Sequence, residues 1–237
     1  MMEPTAKRIA GISSMAMRLV LTELANEFRE RFGIDVAIES VGGVDAGRRV
    51  RNGEGFDFVV LAQDAIAQLA ETGHVDPASS VDLARSGVAI AVRRGAPYPD
   101  VATEAALRDA VLRARTIGYS TGPSGTHLLR LFERWGVADA IAQRIVQASP
   151  GVPVASLVAR GDAELGFQQR SELMHAEGID VIGPLPGATQ LVTIFTGAVC
   201  TQSGRRNETR DLLAFLASSA ADAAKARHGM AGAGVGA

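Results

Sequence analysis

Short apolar runs alternate with segments of helical periodicity along most of this chain. A strand at Lys7–Ile12 precedes a periodic segment that ends at Gly33, and the near-continuous apolar run Phe56–Leu61 precedes another. Such a run is typical of a parallel strand that is covered on both faces. Repeated β/α units predict a parallel sheet with helices on both sides, and such sheets bind ligands at the carboxyl ends of their strands. The pattern therefore predicts an α/β fold.

The alternation occurs twice, which predicts two lobes. The apolar strands Gly87–Val92 and Leu191–Val199 frame the second series of β/α units. We predict two Rossmann-like β/α lobes joined by these two crossing strands. Lobe 1 is predicted to comprise residues 1–86 and 196–237, and lobe 2 residues 87–195. A cleft between the lobes is then the expected ligand site, because clefts between domains commonly bind small molecules.

Composition excludes several classes of function. The net charge is −2 over 237 residues, and the scattered Lys and Arg residues give no basic surface for nucleic acid. The only cysteine, Cys200, lies in a strand-like segment and is expected to be a buried thiol. The four histidines have no paired spacing, so no metal site is predicted. No apolar run approaches the length of a membrane span, so we expect no membrane insertion. We also expect no cofactor.

The two ends of the chain bear on localisation and order. Residues 1–8 contain no apolar core of signal-peptide length, so the sequence as written predicts a cytoplasmic protein. If a leader once preceded this start and was removed, the protein is instead periplasmic. Residues 229–237 are small and rich in glycine, which predicts a loose C-terminal tail.

Four loops at predicted strand ends are built from small, hydroxyl-bearing or glycine residues. They are residues 12–14, 41–44, 122–126 and 149–152, two in each predicted lobe. Glycine lets the backbone approach a ligand, and the free N–H groups at a helix start attract anions. One such loop alone is most simply an ordinary capped helix start. Four of them predict an anion held by backbone N–H groups and hydroxyls.

Three side chains near these loops are candidate bases if the bound anion reacts. His127 begins the helix after the loop at 122–126, where a neutral ring could move a proton to or from a bound acid. Glu39 and Glu172 lie near predicted loop ends. The simpler alternative for each is a solvated side chain.

Gly42-Gly43 is followed by neither a GxxG pattern nor a Walker lysine, which argues against nucleotide binding. Ser13, Ser14 and Ser124 do not stand in a G-x-S-x-G nucleophile motif, which argues against hydrolysis at these serines.

Several segments carry a resemblance to one known family. They are Gly11–Ser14, Gly53–Val60, Asp82–Ala89, Ser124–Thr126, Leu131–Gly136, Val158–Gly166 and Val181–Pro186. On these segments the chain resembles bacterial solute-binding proteins of the molybdate-binding type, in a branch that also resembles aconitate isomerase. The resemblance spans nearly the whole chain and implies the fold of type II periplasmic binding proteins.

The resemblance also implies where a ligand binds. In the family, loops after the first and second strands and loops of the second lobe hold the oxyanions of the ligand. Gln168 stands where molybdate binders usually carry a tyrosine, which favours a small carboxylate over molybdate. Together with the loop residues above, the predicted ligand-binding residues are Ser13, Ser14, Gly42, Gly43, Ser124, Gly125, Thr126, Gly151, Val152 and Gln168.

Two functions follow as expectations. The first is a solute-binding protein that holds a small oxyanion or carboxylate in the cleft between its lobes, and that serves an ABC transporter if it is exported. The alternative is an isomerase of the aconitate isomerase type, which shifts a double bond by moving a proton next to a carboxylate. The sequence leaves open whether the protein is an enzyme.

Overall fold

A computed structural model of the protein describes residues 8–149 and 151–234. The chain divides into two compact units. The described residues of unit 1 are 8–85 and 194–234, and those of unit 2 are 86–149 and 151–193. The strands are β1 Arg8–Ser14, β2 Asp35–Val41, β3 Phe58–Ala62, β4 Val81–Arg93, β5 Ile117–Tyr119, β6 Ile145–Gln147, β7 Leu165–Gln169, β8 Ile179–Pro184, β9 Val192–Val199 and β10 Ala231–Gly232.

Helices follow most of the strands. The α-helices are α1 Arg18–Phe32, α2 Gly43–Arg51, α3 Gln63–Glu71, α4 Glu104–Arg113, α5 Pro123–Arg134, α6 Ala138–Ile141, α7 Val154–Arg160, α8 Arg170–Leu173, α9 Arg206–Ala217 and α10 Asp222–Arg227. The predicted α/β alternation is confirmed, and strands β4 and β9 each run from one unit into the other. In the part of the chain that the structure describes, no helix has both the length and the apolar character needed to cross a bilayer.

The sheet of unit 1 is built around β1. This strand pairs in parallel with β2 on one side and with β3 on the other. Ser13 lies opposite Ser40 of β2 and Val60 of β3, so the carboxyl ends of the three strands lie at one edge of the sheet. β9 extends the sheet antiparallel to β3. The helices α1, α2 and α3 follow these strand ends, and their N-terminal ends therefore belong to the same edge.

The sheet of unit 2 has β5 as the middle one of three parallel strands. Tyr119, at the end of β5, lies opposite Gln147 of β6 and Phe167 of β7. β7 and β8 both pair antiparallel with β4, and Gln169 of β7 lies opposite Val88. The loops that lead into α5, α7 and α8 therefore leave one edge of this sheet.

Each unit has its own hydrophobic core, built from one face of its helices. In unit 1, Val20, Leu24 and Phe28 recur at helical spacing on α1 and are buried against the sheet. In unit 2, Leu128 and Phe132 of α5 are buried in the same way. Full burial of an apolar side chain of this size stabilises the folded state by about 1.5–3 kcal/mol. These cores fix the strand ends from which the site is built.

Two strands extend further than the sequence indicated. β1 continues through Ser14 because its pairing with β2 continues to Val41, so both serines of the first predicted loop lie in the strand. The sequence pattern predicts a strand at Ala163–Phe167 and a helix that starts at Gln168, but β7 continues through Gln169 because its pairing with β4 continues. Their side chains consequently alternate between the two faces of the sheet.

The predicted loose tail is wrong for two residues. Ala231 and Gly232 form β10, which pairs antiparallel with Arg85 and Ala84 of β4. Glycine-rich composition favours disorder in an isolated segment, but backbone pairing with an existing strand overrides it here. Residues 1–7 and 235–237, which hold the rest of the predictions about the termini, lie outside the described residues.

Candidate functional site

The carboxyl end of β1 carries two buried serines in different surroundings. Ser13 is fully buried, and its Oγ lies 2.8 Å from Ser40 Oγ of β2. Ser14 is 8% exposed, and its Oγ is buried without a hydrogen-bond partner among residues 8–149 and 151–234. Such hydroxyls are rare in native proteins because leaving them unpaired costs free energy. The Ser14 hydroxyl therefore marks a position where a ligand or a water molecule can bind.

The start of α2 lies beside Ser14. A Cβ atom added to Gly43 would lie 3.7 Å from Ser14 Cβ, and Gly42 is the N-cap residue, with no side chain to cap the helix. At the start of α4, by contrast, Thr103 Oγ1 accepts a hydrogen bond of 3.1 Å from the Ala106 N–H. The first N–H groups of α2 therefore remain available to an anion next to the Ser14 hydroxyl.

In unit 2, the loop between β5 and α5 is occupied by its own contacts. Ser124 is 3% exposed, and its Oγ lies 3.0 Å from Ser120 Oγ. A Cβ atom at Gly125 would lie 1.8 Å from the carbonyl oxygen of Ser120, so only glycine fits there. Thr126 is exposed in the first turn of α5, where its N–H donates to Gly122 O over 3.1 Å. This loop uses its small residues for packing.

The loop between β6 and α7 forms a turn. Gly151 has φ +80°, in the left-handed region that favours glycine, and the Val152 N–H donates to Ser149 O over 2.9 Å. Val152 is 37% exposed. Pro150, within the same predicted loop, lies outside the described residues. The turn is exposed, and the role of Gly151 and Val152 as ligand contacts stays a prediction.

The two glutamines at the end of β7 have opposite roles. Gln168 is buried, its Oε1 accepts from the Val154 N–H over 2.9 Å, and its Nε2 donates to Glu172 Oε2 over 2.6 Å. Gln168 thus caps α7 and holds Glu172. Gln169 is equally buried, with Nε2 2.7 Å from Thr193 Oγ1, but its Oε1 has no partner in the described part of the chain.

The side-chain amide of Gln169 can therefore present either its oxygen or its NH₂ group to a ligand, depending on its orientation. The hydroxyl of Thr193 can donate or accept a hydrogen bond, so it is compatible with either end of the amide. With the amide turned so that Oε1 faces Thr193, the NH₂ group is free to donate to an anion. Gln168 has no such freedom, because the Val154 N–H can only donate and fixes the Gln168 oxygen in place.

Comparison with known proteins assigns the family. Residues 9–231 match the model of a family described as bacterial extracellular solute-binding protein. This chain belongs to that family. A relative named aconitate isomerase, from a Pseudomonas species, is 35% identical over 221 residues, which cover 91% of this chain and 83% of the relative. The predicted resemblance to molybdate-type binding proteins and to aconitate isomerase is thereby confirmed.

Solved structures agree on the fold of this solute-binding protein. The periplasmic molybdate-binding protein of Azotobacter vinelandii superposes with a TM-score of 0.78 at 18% identity, over 94% of this chain and 98% of that one. The sulfate-binding protein SubI of Mycobacterium tuberculosis H37Rv gives a TM-score of 0.76 at 17% identity, over 94% and 86%. These likenesses confirm the predicted α/β fold of periplasmic binding proteins.

The candidate bases of the solute-binding protein have unequal surroundings. His127 is half-buried, and its Nε2 lies 2.8 Å from the carbonyl oxygen of Thr189. Because a carbonyl can only accept, this nitrogen carries the hydrogen, and a neutral ring then offers Nδ1 as its basic atom. Glu39 is exposed and receives hydrogen bonds from both terminal nitrogens of Arg49, one of 2.9 Å. These hydrogen bonds lower the pKa of Glu39 and make it a weaker base.

Glu172 is the candidate base whose carboxylate is held by a buried amide. It is half-buried on α8, and Gln168 positions one of its carboxylate oxygens. An amide that is itself fixed by the backbone restricts the carboxylate to one orientation, which a proton-transfer group requires. Glu172, His127 and Glu39 remain predictions as catalytic residues.

Three further features of the described residues were candidates for a second site: metal-ligand clusters, the cysteine and two cavities. Among the described residues, no three His, Cys, Asp or Glu side chains are grouped as metal ligands. Burial raises the pKa of the Cys200 thiol to about 12, which makes it unreactive. Cavities of about 430 and 490 Å³ lie along β8, where Arg94 and Asp180 form an ion pair of 3.7 Å. Neither is lined by a predicted site residue.

The sequence indicated Gln168 and Gln169 alike as possible amide contacts for a ligand and did not distinguish between them, and it did not reveal Ser40 as the partner of Ser13. Both depend on strand register, which decides the face on which a side chain lies. A signal for Gln169 was present: if β7 continues through both glutamines, they must lie on opposite faces, and only one can cap α7.

Proposed function

We propose that this protein binds a small organic or inorganic anion through Ser14 and the start of α2. Gln169, whose Oε1 has no partner among the described residues, is a further proposed contact. The observation that carries this proposal is the buried Ser14 hydroxyl beside a helix start that has no side-chain cap. An anion satisfies both the hydroxyl and the N–H groups at once. The remaining predicted contacts are Ser13, Gly42, Gly43, Ser124, Gly125, Thr126, Gly151, Val152 and Gln168.

The expected binding energies indicate that Ser14 and the start of α2 do not by themselves give micromolar affinity. A hydrogen bond to a charged group contributes about 1.5–3 kcal/mol, and a helix N-terminus adds about 0.3–1 kcal/mol for a nearby negative charge. Together they supply about 2–4 kcal/mol, whereas micromolar affinity requires about 8 kcal/mol. For such an affinity further donors are needed. The Gln169 amide, whose Oε1 has no partner among the described residues, is the best supported of them.

Family membership supports an anionic ligand. The structural neighbours are named for the oxyanions molybdate and sulfate, and the sequence relative is named for aconitate, a carboxylate. All three are compact anions that backbone N–H groups and hydroxyls can bind. The net charge of −2 gives no general attraction for such ligands, so specific donors must supply the affinity.

The test is thermal unfolding of the purified protein with molybdate, sulfate, citrate, cis-aconitate and trans-aconitate, followed by calorimetric titration of each anion that shifts Tm. A ligand that binds only the folded state raises Tm, and at one hundred times its Kd it stabilises by about 2.7 kcal/mol. Glycerol and betaine, which carry no net negative charge, are the controls. If no anion raises Tm more than these controls, the proposal is wrong.

A second function is favoured by the relative named aconitate isomerase. In this proposal, Glu172 removes a proton from the carbon beside a carboxylate-bearing double bond, and the proton returns at the far carbon as the double bond shifts. The Ser14 hydroxyl and the α2 N–H groups stabilise the negative charge that develops. Proton NMR in D₂O tests it with cis- and trans-aconitate. Binding without interconversion or deuterium uptake rejects this function and leaves anion binding intact.

We further propose a location outside the cytoplasm and an ABC transporter as partner. The support is the description of the family as extracellular solute-binding proteins. Fractionation of cells that express the native gene tests the location, and ligand uptake with and without the gene tests the partner. Recovery of the native protein in the cytoplasm alone would contradict both.

A further inference from the structure

We infer that the cavity of about 490 Å³ beside β8 is a second binding site, which takes a small organic acid with an apolar body. The carboxylate of this acid binds Arg170, and its apolar body lies against Met174 and Val181. All residues that line the cavity belong to unit 2, and none of them is a proposed contact of the anion described above. The inference is therefore independent of the proposed function.

Most residues that line this cavity have apolar side chains. Leu173 and Ile179 line it as buried members of a hydrophobic core of unit 2. Met174 and Val181 line it as well, yet they are 40% and 39% exposed. An apolar group bound there would remove their surface from water, which is favourable, and the flexible methionine can adapt to its shape. The volume is within the range of about 300–1,000 Å³ that is typical of small-molecule sites.

Among the described residues that line the cavity, only Asp180 carries a carboxylate, and other groups already hold it. Its Oδ2 accepts from the Gly95 N–H over 3.1 Å, and its Oδ1 lies 3.7 Å from Arg94 Nε. Partial loss of hydration and a hydrogen bond to Asp180 raise the pKa of Tyr98, so this hydroxyl keeps its proton and donates it to the carboxylate. Arg94 thus offsets the charge of Asp180.

Arg170 is the cation that remains for a ligand. It is exposed at the start of α8 and lines the cavity. Within residues 8–149 and 151–234, its side chain makes neither a hydrogen bond nor an ion pair, whereas Arg94 is paired with Asp180. A guanidinium binds a carboxylate through two parallel hydrogen bonds. An inorganic anion could also bind Arg170, but it would leave Met174 exposed, so an acid with an apolar body fits the cavity better.

The neighbouring cavity along β8 lacks such a cation. It has a volume of about 430 Å³, and Asp100 is the only charged residue among the described residues that line it. Asp100 Oδ1 accepts from the Ala102 N–H over 2.9 Å. An acid in this second cavity would face a carboxylate with no arginine to offset it. Of the two cavities, therefore, only the one beside Arg170 suits an organic acid.

The experiment follows the methyl signals of carbon-13-labelled methionine by NMR during titration. Met174 lines the cavity, and its signal is assigned with the variant Met174→Leu. The probes are phenylacetate and hexanoate. Phenylacetamide, which has the ring without the charge, and sulfate, which has charge without an apolar body, are the controls. We expect both acids to shift the Met174 signal with a Kd of about 1 mM or lower, and both controls to bind at least about fivefold more weakly.

Two variants test the assigned contacts. Arg170→Gln should weaken both acids about fivefold or more, because it removes the charge and one of the two parallel hydrogen bonds. Val181→Phe should weaken them about tenfold or more, because the larger side chain occupies part of the cavity. Both positions are exposed, so the Tm of the ligand-free protein should not change. Arg130→Gln, at an exposed arginine of α5 that does not line the cavity, is the matched control and should leave both Kd values unchanged.

The inference is overturned if neither acid shifts the Met174 signal up to about 10 mM, if phenylacetamide binds as tightly as phenylacetate, or if Arg170→Gln leaves Kd unchanged. Ser14→Ala separates the two proposed sites. If it leaves the Kd of both acids unchanged, they bind outside the anion site of unit 1, as inferred. If it weakens them as much as Arg170→Gln does, they occupy that anion site and the second site is rejected. None of these results alters the test of the proposed function, which measures other anions.

Discussion

The strand ends of unit 1 and those of unit 2 carry the same types of residue in different states. Ser14 of unit 1 has a buried hydroxyl without a partner among the described residues, whereas the hydroxyl of Ser124 in unit 2 bonds to Ser120. A Cβ atom at Gly43 would make only ordinary contacts, whereas one at Gly125 would lie 1.8 Å from the Ser120 carbonyl oxygen. Unit 1 leaves its donors available, and unit 2 uses most of its own to hold its loops in place.

This difference shows that a small, hydroxyl-rich loop has two distinct physical meanings. A serine hydroxyl can form its hydrogen bond with a ligand or with another residue of the loop. A glycine can leave space for a ligand or allow close contact with the protein backbone. Both solutions satisfy the rule that buried polar groups are paired, but only the first requires an external partner. The two units can therefore be separated by mutation, because ligand donors and packing residues respond in opposite ways.

The largest expected effect comes from Gly125→Ala. Its Cβ would lie 1.8 Å from a backbone oxygen, which cannot move without shifting β5, so we expect a loss of about 3 kcal/mol of stability, the upper end for overpacking. Urea unfolding followed by the fluorescence of Trp135, the only tryptophan and a residue of unit 2, measures it. Gly43→Ala is the matched control in unit 1. Equal midpoints for the two variants would contradict the comparison.

The next effect separates the two adjacent glutamines. Gln168→Leu leaves the buried Val154 N–H without its partner and removes the hydrogen bond to Glu172, so we expect a loss of about 2 kcal/mol. Gln169→Leu removes only the contact with Thr193 and should cost about 1 kcal/mol or less, while weakening anion binding at least fivefold. Urea unfolding and calorimetry measure both quantities. If Gln168→Leu weakens the ligand more than Gln169→Leu at equal stability, the assigned roles are reversed.

A third test compares Ser14→Ala with Ser124→Ala. Removing an unpartnered buried hydroxyl should leave the stability of unit 1 unchanged or slightly higher, but should weaken the ligand about tenfold, equivalent to about 1.4 kcal/mol. Ser124→Ala breaks the contact with Ser120, so we expect it to lower stability by about 1 kcal/mol and to weaken the ligand less. Tm without ligand and Kd by calorimetry decide between them. Equal losses of stability and of affinity in both variants would contradict the assignment of Ser14 as a ligand donor.

Sequence periodicity was enough to predict the α/β fold, because the alternation of strands and helices follows from local patterns. The resemblance of several segments, not periodicity, predicted the family. The periodic segment predicted to end at Gly33 is α1, and Gly33 follows it with φ +68°. Which serine is free was not predictable, because it depends on the register that places Ser13 opposite Ser40. The predicted lobe boundaries, the cleft between the lobes and the individual site residues stay predictions.

The role of Gln168 was beyond sequence reasoning for the same reason. Its partner is the N–H of Val154, fourteen residues earlier in the chain and on another element. No local pattern specifies such a contact, whereas the pairing of β7 with β4 determines it directly. Strand register thus determines the contacts of these side chains, which residue type alone left ambiguous.

The smallest effect concerns the ion pair that fixes α2 in unit 1. Arg49 binds Glu39 of β2 and lies 2.8 Å from Glu54, and these contacts hold the helix whose start faces Ser14. Hydrogen bonds from Arg49 lower the pKa of Glu39 below its ordinary 4.5, so this carboxylate stabilises the fold above that pH and loses the effect as the pH falls through its lowered pKa.

We therefore expect Glu39→Gln to lower Tm slightly at pH 7 and the difference from the natural protein to vanish in acid. Because the pair is exposed, high salt should also reduce the difference. Glu164→Gln, which removes an exposed ion pair with Arg115 in unit 2, is the control and should not affect the ligand. If Glu39 is instead the catalytic base, Glu39→Gln abolishes turnover at unchanged affinity. If affinity changes little and turnover is not lost, Glu39 supports the position of α2, whose first N–H groups are proposed to bind the anion.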